Sequence, residues 1–132
     1  MYHKKYLLTY DFRLITMKII IDGDYLKIKF SVIERILGIH GSFKIPVPNV
    51  RRVTTQHPVQ SLKEIRLPGT FLPGVIKAGT YLTDRGKEFW YTTRKKEYLT
   101  IELENEFYKR IILSVDSSDR LKEKIDKIIM NK

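Results

Sequence analysis

The chain of 132 residues contains no cysteine, which excludes disulfide bonds, thiolate nucleophiles and cysteine-ligated metal sites. Its seven glycines and five prolines are too few for a collagen-like or low-complexity protein. The histidines, His3, His40 and His57, are widely spaced, whereas zinc needs three or four ligands, usually with two close together in sequence. A Gly-x-Ser-x-Gly turn and the Lys-Ser/Thr of a phosphate-binding loop are also missing. We therefore expect no enzyme, no catalytic residue, no metal, no cofactor and no small-molecule substrate.

Long apolar runs are missing as well. Thr9, Asp11 and Arg13 interrupt the N-terminal stretch, which therefore lacks the apolar core of about 7–15 residues that a signal peptide needs. No other stretch approaches the roughly 20 apolar residues of a transmembrane helix. These absences favour a cytoplasmic protein.

The composition is that of a soluble globular protein, with 42% hydrophobic and 30% charged residues, and the length suits one domain. The formal charge is +10, from 25 basic and 15 acidic side chains. The whole excess lies in residues 1–98, because residues 99–132 carry equal numbers of each sign. Such an excess attracts polyanions, either nucleic acid, an anionic membrane surface or an acidic protein, although it is equally consistent with solubility alone.

Alternation of apolar and polar residues predicts a series of short strands followed by one helix. Asp22-Gly23-Asp24 and Asp84-Arg-Gly86 are typical hairpin turns, and the prolines from position 46 to 48 favour edge strands. Ser31 and Glu34 form the sequence pattern of a capping box, which predicts a two-turn helix ending at Gly38. The predicted strands are 6–14, 18–22, 25–30, 43–46, 50–55, 62–66, 75–82, 87–93, 98–103 and 108–115, and the closing helix spans 121–129 with an N-cap in 116–118.

The strand at 98–103 shows the pattern most clearly. Leu99, Ile101 and Leu103 are predicted to face the core, with Thr100 and Glu102 towards solvent. Glu102 would then begin a row of solvent-facing carboxylates that continues with Glu104 and Glu106. Residues 1–16 are expected to be an accessory strand or extension, and residues 17–132 a single domain that begins at Met17.

The order of elements resembles the pleckstrin-homology-like (PH-like) domains of bacteria. The similarity includes a short helix with a Glu after an early strand, a following strand that ends in Pro, and a last strand followed by a serine-rich turn and a helix. The segments that carry it are 26–50, Arg66–Gly74, Gly79, Phe89 and 114–118, within residues 18–128. The resemblance implies a mainly β, α+β fold, an antiparallel barrel or sandwich of about seven strands, but no functional residues. Phosphoinositide-binding PH domains use a basic hairpin, whereas here Asp22 and Asp24 occupy the tip, where phosphate would require Lys or Arg.

Basic and aromatic residues lie close together in the sequence near position 90. If Phe89 and Tyr91 face the core, Trp90 faces outward beside Arg94, Lys95 and Lys96, as in surfaces that stack on bases or insert at a lipid interface. Alternatively, the three cations are simply a solvated turn and Trp90 packs under the closing helix. The candidate basic patch, which would bind an anionic ligand, comprises Arg51, Arg52, Trp90, Arg94, Lys95 and Lys96.

Two functions follow from these observations. The first is a non-enzymatic PH-like module that binds a protein partner or an anionic surface, or self-associates through an exposed strand edge, for which the strand at 6–14 is the natural candidate. The second is a small basic β-barrel that binds single-stranded nucleic acid through its basic aromatic face. The sequence leaves both open.

Overall fold

The fold is described from a computed structural model, which describes residues 17–30, 41–58, 64–67, 71–72, 76–93 and 97–130. Strands precede the only α-helix of these residues. The strands are β1 (Lys18–Asp22), β2 (Tyr25–Lys29), β3 (Phe43–Pro46), β4 (Val50–Thr54), β5 (Ile65–Arg66), β6 (Phe71–Leu72), β7 (Ile76–Thr83), β8 (Gly86–Thr93), β9 (Glu97–Leu103) and β10 (Arg110–Val115). A 3-10 helix, Val47–Asn49, joins β3 to β4, and the helix α1 spans Ser118–Met130.

The first three strands form an antiparallel sheet in the order β1-β2-β3. The β1–β2 connection is a two-residue turn in which Gly23 has a φ of 60°. A type II′ turn needs this conformation at its first central residue, and glycine adopts it without steric cost. Leu26 and Ile28 point into the core, so the alternate residues of the same strand lie on the outer face.

The second sheet has seven strands in the order β4-β9-β10-β8-β7-β5, with β6 also paired to β7. Strand β10 lies between β9 and β8 and runs parallel to β8. The sheets are mostly antiparallel, as expected, with β8 and β10 as the parallel pair, but the described strands number ten in two sheets rather than about seven. Within the described residues the two sheets do not close into a barrel.

The core lies between the inner faces of the two sheets and is completed by α1. Its side chains include Ile28 of the first sheet, Ile101 and Ile111 of the second, and Ile125 of the helix, all of which are buried. Five aromatic rings, Phe30, Phe43, Phe89, Tyr91 and Tyr108, meet edge-on or tilted where the sheets face each other. The helix packs on β4, β9 and the 3-10 helix with the apolar stripe that its sequence predicts.

The mainly β, α+β class is confirmed, and each predicted strand from residue 18 onward is found to within a few residues, whereas β6 is a further strand that the sequence pattern does not predict. The edge positions of β3 and β4, next to the prolines, are confirmed too. The predicted strand 6–14 and the predicted helix after Ser31 lie outside the described residues.

One prediction about β9 is wrong: Thr100 is only 2% exposed, because β10 and its neighbours are buried on both faces of the second sheet. Of the three glutamates, Glu102 lies in β9, and Glu104 and Glu106 follow the end of the strand; none of the three is buried.

Candidate anion-binding surface

The predicted basic patch is only partly within the described residues. Arg51 and Arg52 are exposed on the edge strand β4, and the guanidinium of Arg52 pairs with Glu102 at 2.6 Å. Residues 94–96 lie outside the described residues. Trp90 belongs to β8, which β9 and β10 separate from β4. The described residues therefore do not bring the arginines and the tryptophan together.

Neither alternative for Trp90 is found: it lies on the opposite face of β8 from Phe89, but it is not exposed there, and it does not pack under the closing helix. Its side chain is 2% exposed and packs with Tyr81 and Ile112, on the face of the second sheet away from α1. The indole N–H donates a hydrogen bond to Glu88 at 3.0 Å. An indole with this burial and this partner is not available to stack on a base or enter a lipid interface.

Charged groups surround Trp90 in the interior. The carboxylate of Glu88 is fully buried and accepts a hydrogen bond from Arg110 at 3.0 Å, with Arg85 at 3.4 Å. On the other side, the ammonium of Lys77 lies 3.7 Å from the centre of the Trp90 ring. The face of an aromatic ring attracts such a cation.

Lys77 is held by a further partner, Glu64, at 2.9 Å. Burial lowers the pKa of the Lys77 ammonium, and the ion pair with Glu64 opposes that effect. Burial also raises the pKa of Tyr81. Among the residues that the structure describes, neither the Tyr81 hydroxyl nor the second carboxylate oxygen of Glu64 has a hydrogen-bond partner. Glu64, Lys77, Tyr81, Glu88, Trp90 and Arg110 form what we call the buried polar cluster. It connects β7, β8 and β10 with the residue that precedes β5, and because it lies in the interior it is not a docking surface.

The lysines of the first sheet form a different surface, on which Lys18, Lys29 and Lys44 are exposed and Lys27 is half-buried. Pairing between the strands places Lys18 opposite Lys29, and Lys27 opposite Lys44. Because these positions alternate with the buried Leu26, Ile28 and Ile45, all four ammonium groups belong to the outer face. We call Lys18, Lys27, Lys29 and Lys44 the lysine face.

Only one acidic side chain lies among these lysines in the register of the sheet. Asp22 pairs with Lys27 at 2.7 Å, and this hydrogen bond, together with the charges of Lys44 and Lys29, lowers the pKa of Asp22. Four lysines and one aspartate leave a net charge of +3. Lys44 also lies 4.3 Å from the ring centre of Tyr25, which is 37% exposed on the same face. The surface thus combines concentrated positive charge with one accessible aromatic ring.

A cleft of about 440 Å³ opens at the turn end of the first sheet. It is bounded by the turn residues Gly23 and Asp24, by Tyr25, by the segment Pro46–Pro48 and by Ile128 of α1. Asp24, the one carboxylate among the described residues of this lining, opposes the binding of an anionic ligand there, as the acidic turn predicts. Anion binding is therefore favoured along the strands rather than at the hairpin tip.

Two of the four residues of the lysine face, Lys27 and Lys29, can be assigned to one face from the sequence alone. The alternation in β2 already assigns Tyr25, Lys27 and Lys29 to one face. Lys18 and Lys44 join them only through the register with β1 and β3, which no pattern within a single strand specifies.

The described residues offer little support for a metal site. His57 packs edge-on against Tyr98, with ring centres 4.7 Å apart, while His3 and His40 lie outside the described residues. In the part of the chain that the structure describes, no three His, Cys, Asp or Glu side chains are grouped to hold a metal ion. No helix there has the length and apolar character that crossing a bilayer requires.

Searches for similar proteins gave no match to a family model, a curated protein or a solved structure.

Proposed function

We propose that this protein is a non-enzymatic, PH-like binding module that attaches reversibly to anionic membrane surfaces through its lysine face. The observation that carries the proposal is the register of the first sheet, which collects Lys18, Lys27, Lys29 and Lys44 on one exposed face. Lysine suits this role because it is a compact point charge that needs no defined partner geometry.

The membrane affinity expected of such a surface is modest. Each lysine close to an anionic membrane contributes about 1 kcal/mol, and the attraction decays within a Debye length of roughly 8 Å at physiological salt. Lys27 is already paired with Asp22, so Lys18, Lys29 and Lys44 supply most of the attraction. Attachment of this kind is reversible and weakens as salt is added.

The fold is compatible with a PH-like module at the level of two sheets and a C-terminal helix. The early antiparallel sheet, the second sheet and the helix after the last strand follow the expected order. The parallel pairing of β8 with β10 is an exception within the mostly antiparallel pattern that the resemblance implies.

Single-stranded nucleic acid is the second candidate ligand, and Tyr25 is the observation that favours it. An exposed ring among lysines resembles the stacking platforms that bind bases, where each stacked base contributes about 1–3 kcal/mol. Replacing Tyr25 with Leu removes the stacking surface and leaves every lysine, so this variant separates the two candidates.

The test is cosedimentation with phosphatidylcholine vesicles that contain increasing fractions of phosphatidylserine. The triple variant Lys18→Gln, Lys29→Gln, Lys44→Gln is compared with a control, Lys109→Gln, Arg120→Gln, Lys124→Gln, which removes the same charge from exposed positions elsewhere. We expect the lysine-face variant to lose about 100-fold in partitioning. The control should lose far less.

Equal losses in the two triple variants would show that net charge alone drives binding and would overturn the assignment to this face. A single-stranded oligonucleotide in parallel samples tests the second candidate. If the protein binds the oligonucleotide but not the vesicles, and Tyr25→Leu abolishes that binding, the membrane proposal is wrong and the nucleic-acid one is supported.

A further inference from the structure

Strand β1 is an edge strand whose outer side has no partner strand among the described residues. The two-residue turn makes Asp22 and Tyr25 a hydrogen-bonded pair, so Asp22, Ile20 and Lys18 direct their backbone groups towards β2. Ile19 and Ile21 then direct their N–H and C=O groups away from the sheet. Such an edge is a template for another strand.

The sequence of β1, Lys-Ile-Ile-Ile-Asp, is complementary to itself in antiparallel pairing. A two-fold axis at Ile20 places Ile19 opposite Ile21 of a second copy, and these are the residues with outward backbone groups. Both residues then form hydrogen-bonded pairs, and Ile20 meets its own copy in a non-hydrogen-bonded pair, where side chains approach most closely. The two residues whose backbone groups point outward are therefore the two that the axis at Ile20 pairs, and the strands need no shift in register.

The charges favour the same register. Lys18 lies opposite Lys29 within the chain, and like charges directly opposite are destabilising. In the two-fold pairing, Lys18 keeps Lys29 on one side and acquires Asp22 of the second copy on the other. The symmetry produces this Lys18–Asp22 contact twice. Asp22 is 62% exposed and can accept this partner as well as Lys27. Ile21, which is 37% exposed, also gains an apolar neighbour on the inner face.

We propose that β1 pairs antiparallel with β1 of a second copy of this chain, in register about Ile20, to form a six-stranded sheet across a symmetric dimer. The pairing joins the two lysine faces into one. It depends on the backbone edge and on the Lys18–Asp22 contacts, not on anion binding, so it is tested without vesicles and fails or succeeds independently of the proposed function. A five-residue strand buries little surface, so the dimer is expected to be weak and dependent on concentration.

The absence of cysteine allows a register-specific cross-linking test, since any cysteine introduced is unique. The two Cα atoms at position 20 would lie about 4.5 Å apart, within the range that a disulfide spans. Those at position 18 would be displaced by four residues, or about 13 Å. Under mild oxidation, Ile20→Cys should cross-link, Lys18→Cys should not, and a mixture of Lys18→Cys with Asp22→Cys should form the heterodimer. Equal cross-linking of Ile20→Cys and Lys18→Cys would overturn the register.

Charge exchange provides a second test that needs no oxidation. Lys18→Asp and Asp22→Lys each place like charges opposite each other twice in the dimer, and each should weaken dimerisation about tenfold in sedimentation equilibrium. The double variant restores both opposite-charge contacts and should recover the parent affinity. Circular dichroism of each variant verifies folding. A parent protein that remains monomeric up to millimolar concentration, or a double variant weaker than both single variants, would refute the proposal.

Discussion

Removal of the Glu88 carboxylate is expected to cause a large loss of stability, because three groups depend on it. Glu88 is fully buried, accepts hydrogen bonds from Trp90 and Arg110 at 3.0 Å, and lies 3.4 Å from Arg85. In Glu88→Ala the indole N–H of Trp90 remains buried without a partner, which costs about 1–3 kcal/mol. Arg110, whose side chain is 15% exposed, loses its counter-charge, and breaking such a buried pair costs about 3–5 kcal/mol in all. Arg85 adds little, because its side chain is 36% exposed.

The free energy of unfolding of Glu88→Ala should therefore fall by about 3–5 kcal/mol. Glu88→Gln keeps an oxygen that can accept from Trp90 but loses the charge opposite Arg110, so it should cost about 1.5–3 kcal/mol. Trp90 is the only tryptophan and is buried, so its fluorescence reports urea unfolding directly.

A double-mutant cycle tests the reasoning behind these values. Arg110→Ala in the Glu88→Ala background removes a buried charge that has already lost its partner, so the second substitution should cost less than it does in the parent chain. If Glu88→Ala costs less than 1 kcal/mol with an unchanged m-value, the carboxylate does not hold the buried polar cluster together and the account is wrong.

Three further predictions concern other parts of the fold. Glu97 accepts hydrogen bonds from the backbone and hydroxyl of Ser118, which lower its pKa from the ordinary 4.5. The resulting stabilisation of α1 is present above pH 4.5 and is lost as the pH falls through the lowered pKa, so in pH-dependent denaturation Glu97→Gln should lose stability at pH 7 but not at the lowest pH. Gly86 has a φ of 109°, and a Cβ there would lie 2.6 Å from the Lys109 side chain, so thermal unfolding of Gly86→Ala should show a loss of about 1–3 kcal/mol. Ile125 lies on the face of α1 that packs against the core and is 3% exposed, so Ile125→Ala should lose about 2–5 kcal/mol in urea unfolding.

Sequence patterns predict the elements of this protein better than their arrangement. The alternation in β2 and β9 and the helical stripe of α1 are local signals, because each records which side chains of one element meet water. The burial of Trp90 and Thr100 cannot be predicted in this way. They follow a regular alternation and lie opposite the core, yet they are buried because the central strands of the second sheet are covered on both faces.

For the lysine face as well, local sequence patterns predict part of the arrangement and strand pairing decides the rest. The sequence assigns Lys27 and Lys29 to one face through their alternation with Leu26 and Ile28. It does not predict that Lys18 and Lys44 join them, because cross-strand register is a property of two segments and the turn between them. It also groups the tryptophan with nearby cations because they are close in sequence, whereas the strand pairing directs the indole to a buried carboxylate.

The sequence by itself determined the strand-rich character, the positions of the turns, the edge strands beside the prolines and the amphipathic closing helix. Each of these depends on backbone preferences and on polarity within a few residues. Only the tertiary structure decided that β10 lies between β8 and β9, and with it the burial of Glu88 and Trp90 and the assembly of the lysine face. Those outcomes depend on contacts between residues far apart in the chain, where the free energies of burial and ion pairing favour one arrangement among several that the local pattern allows.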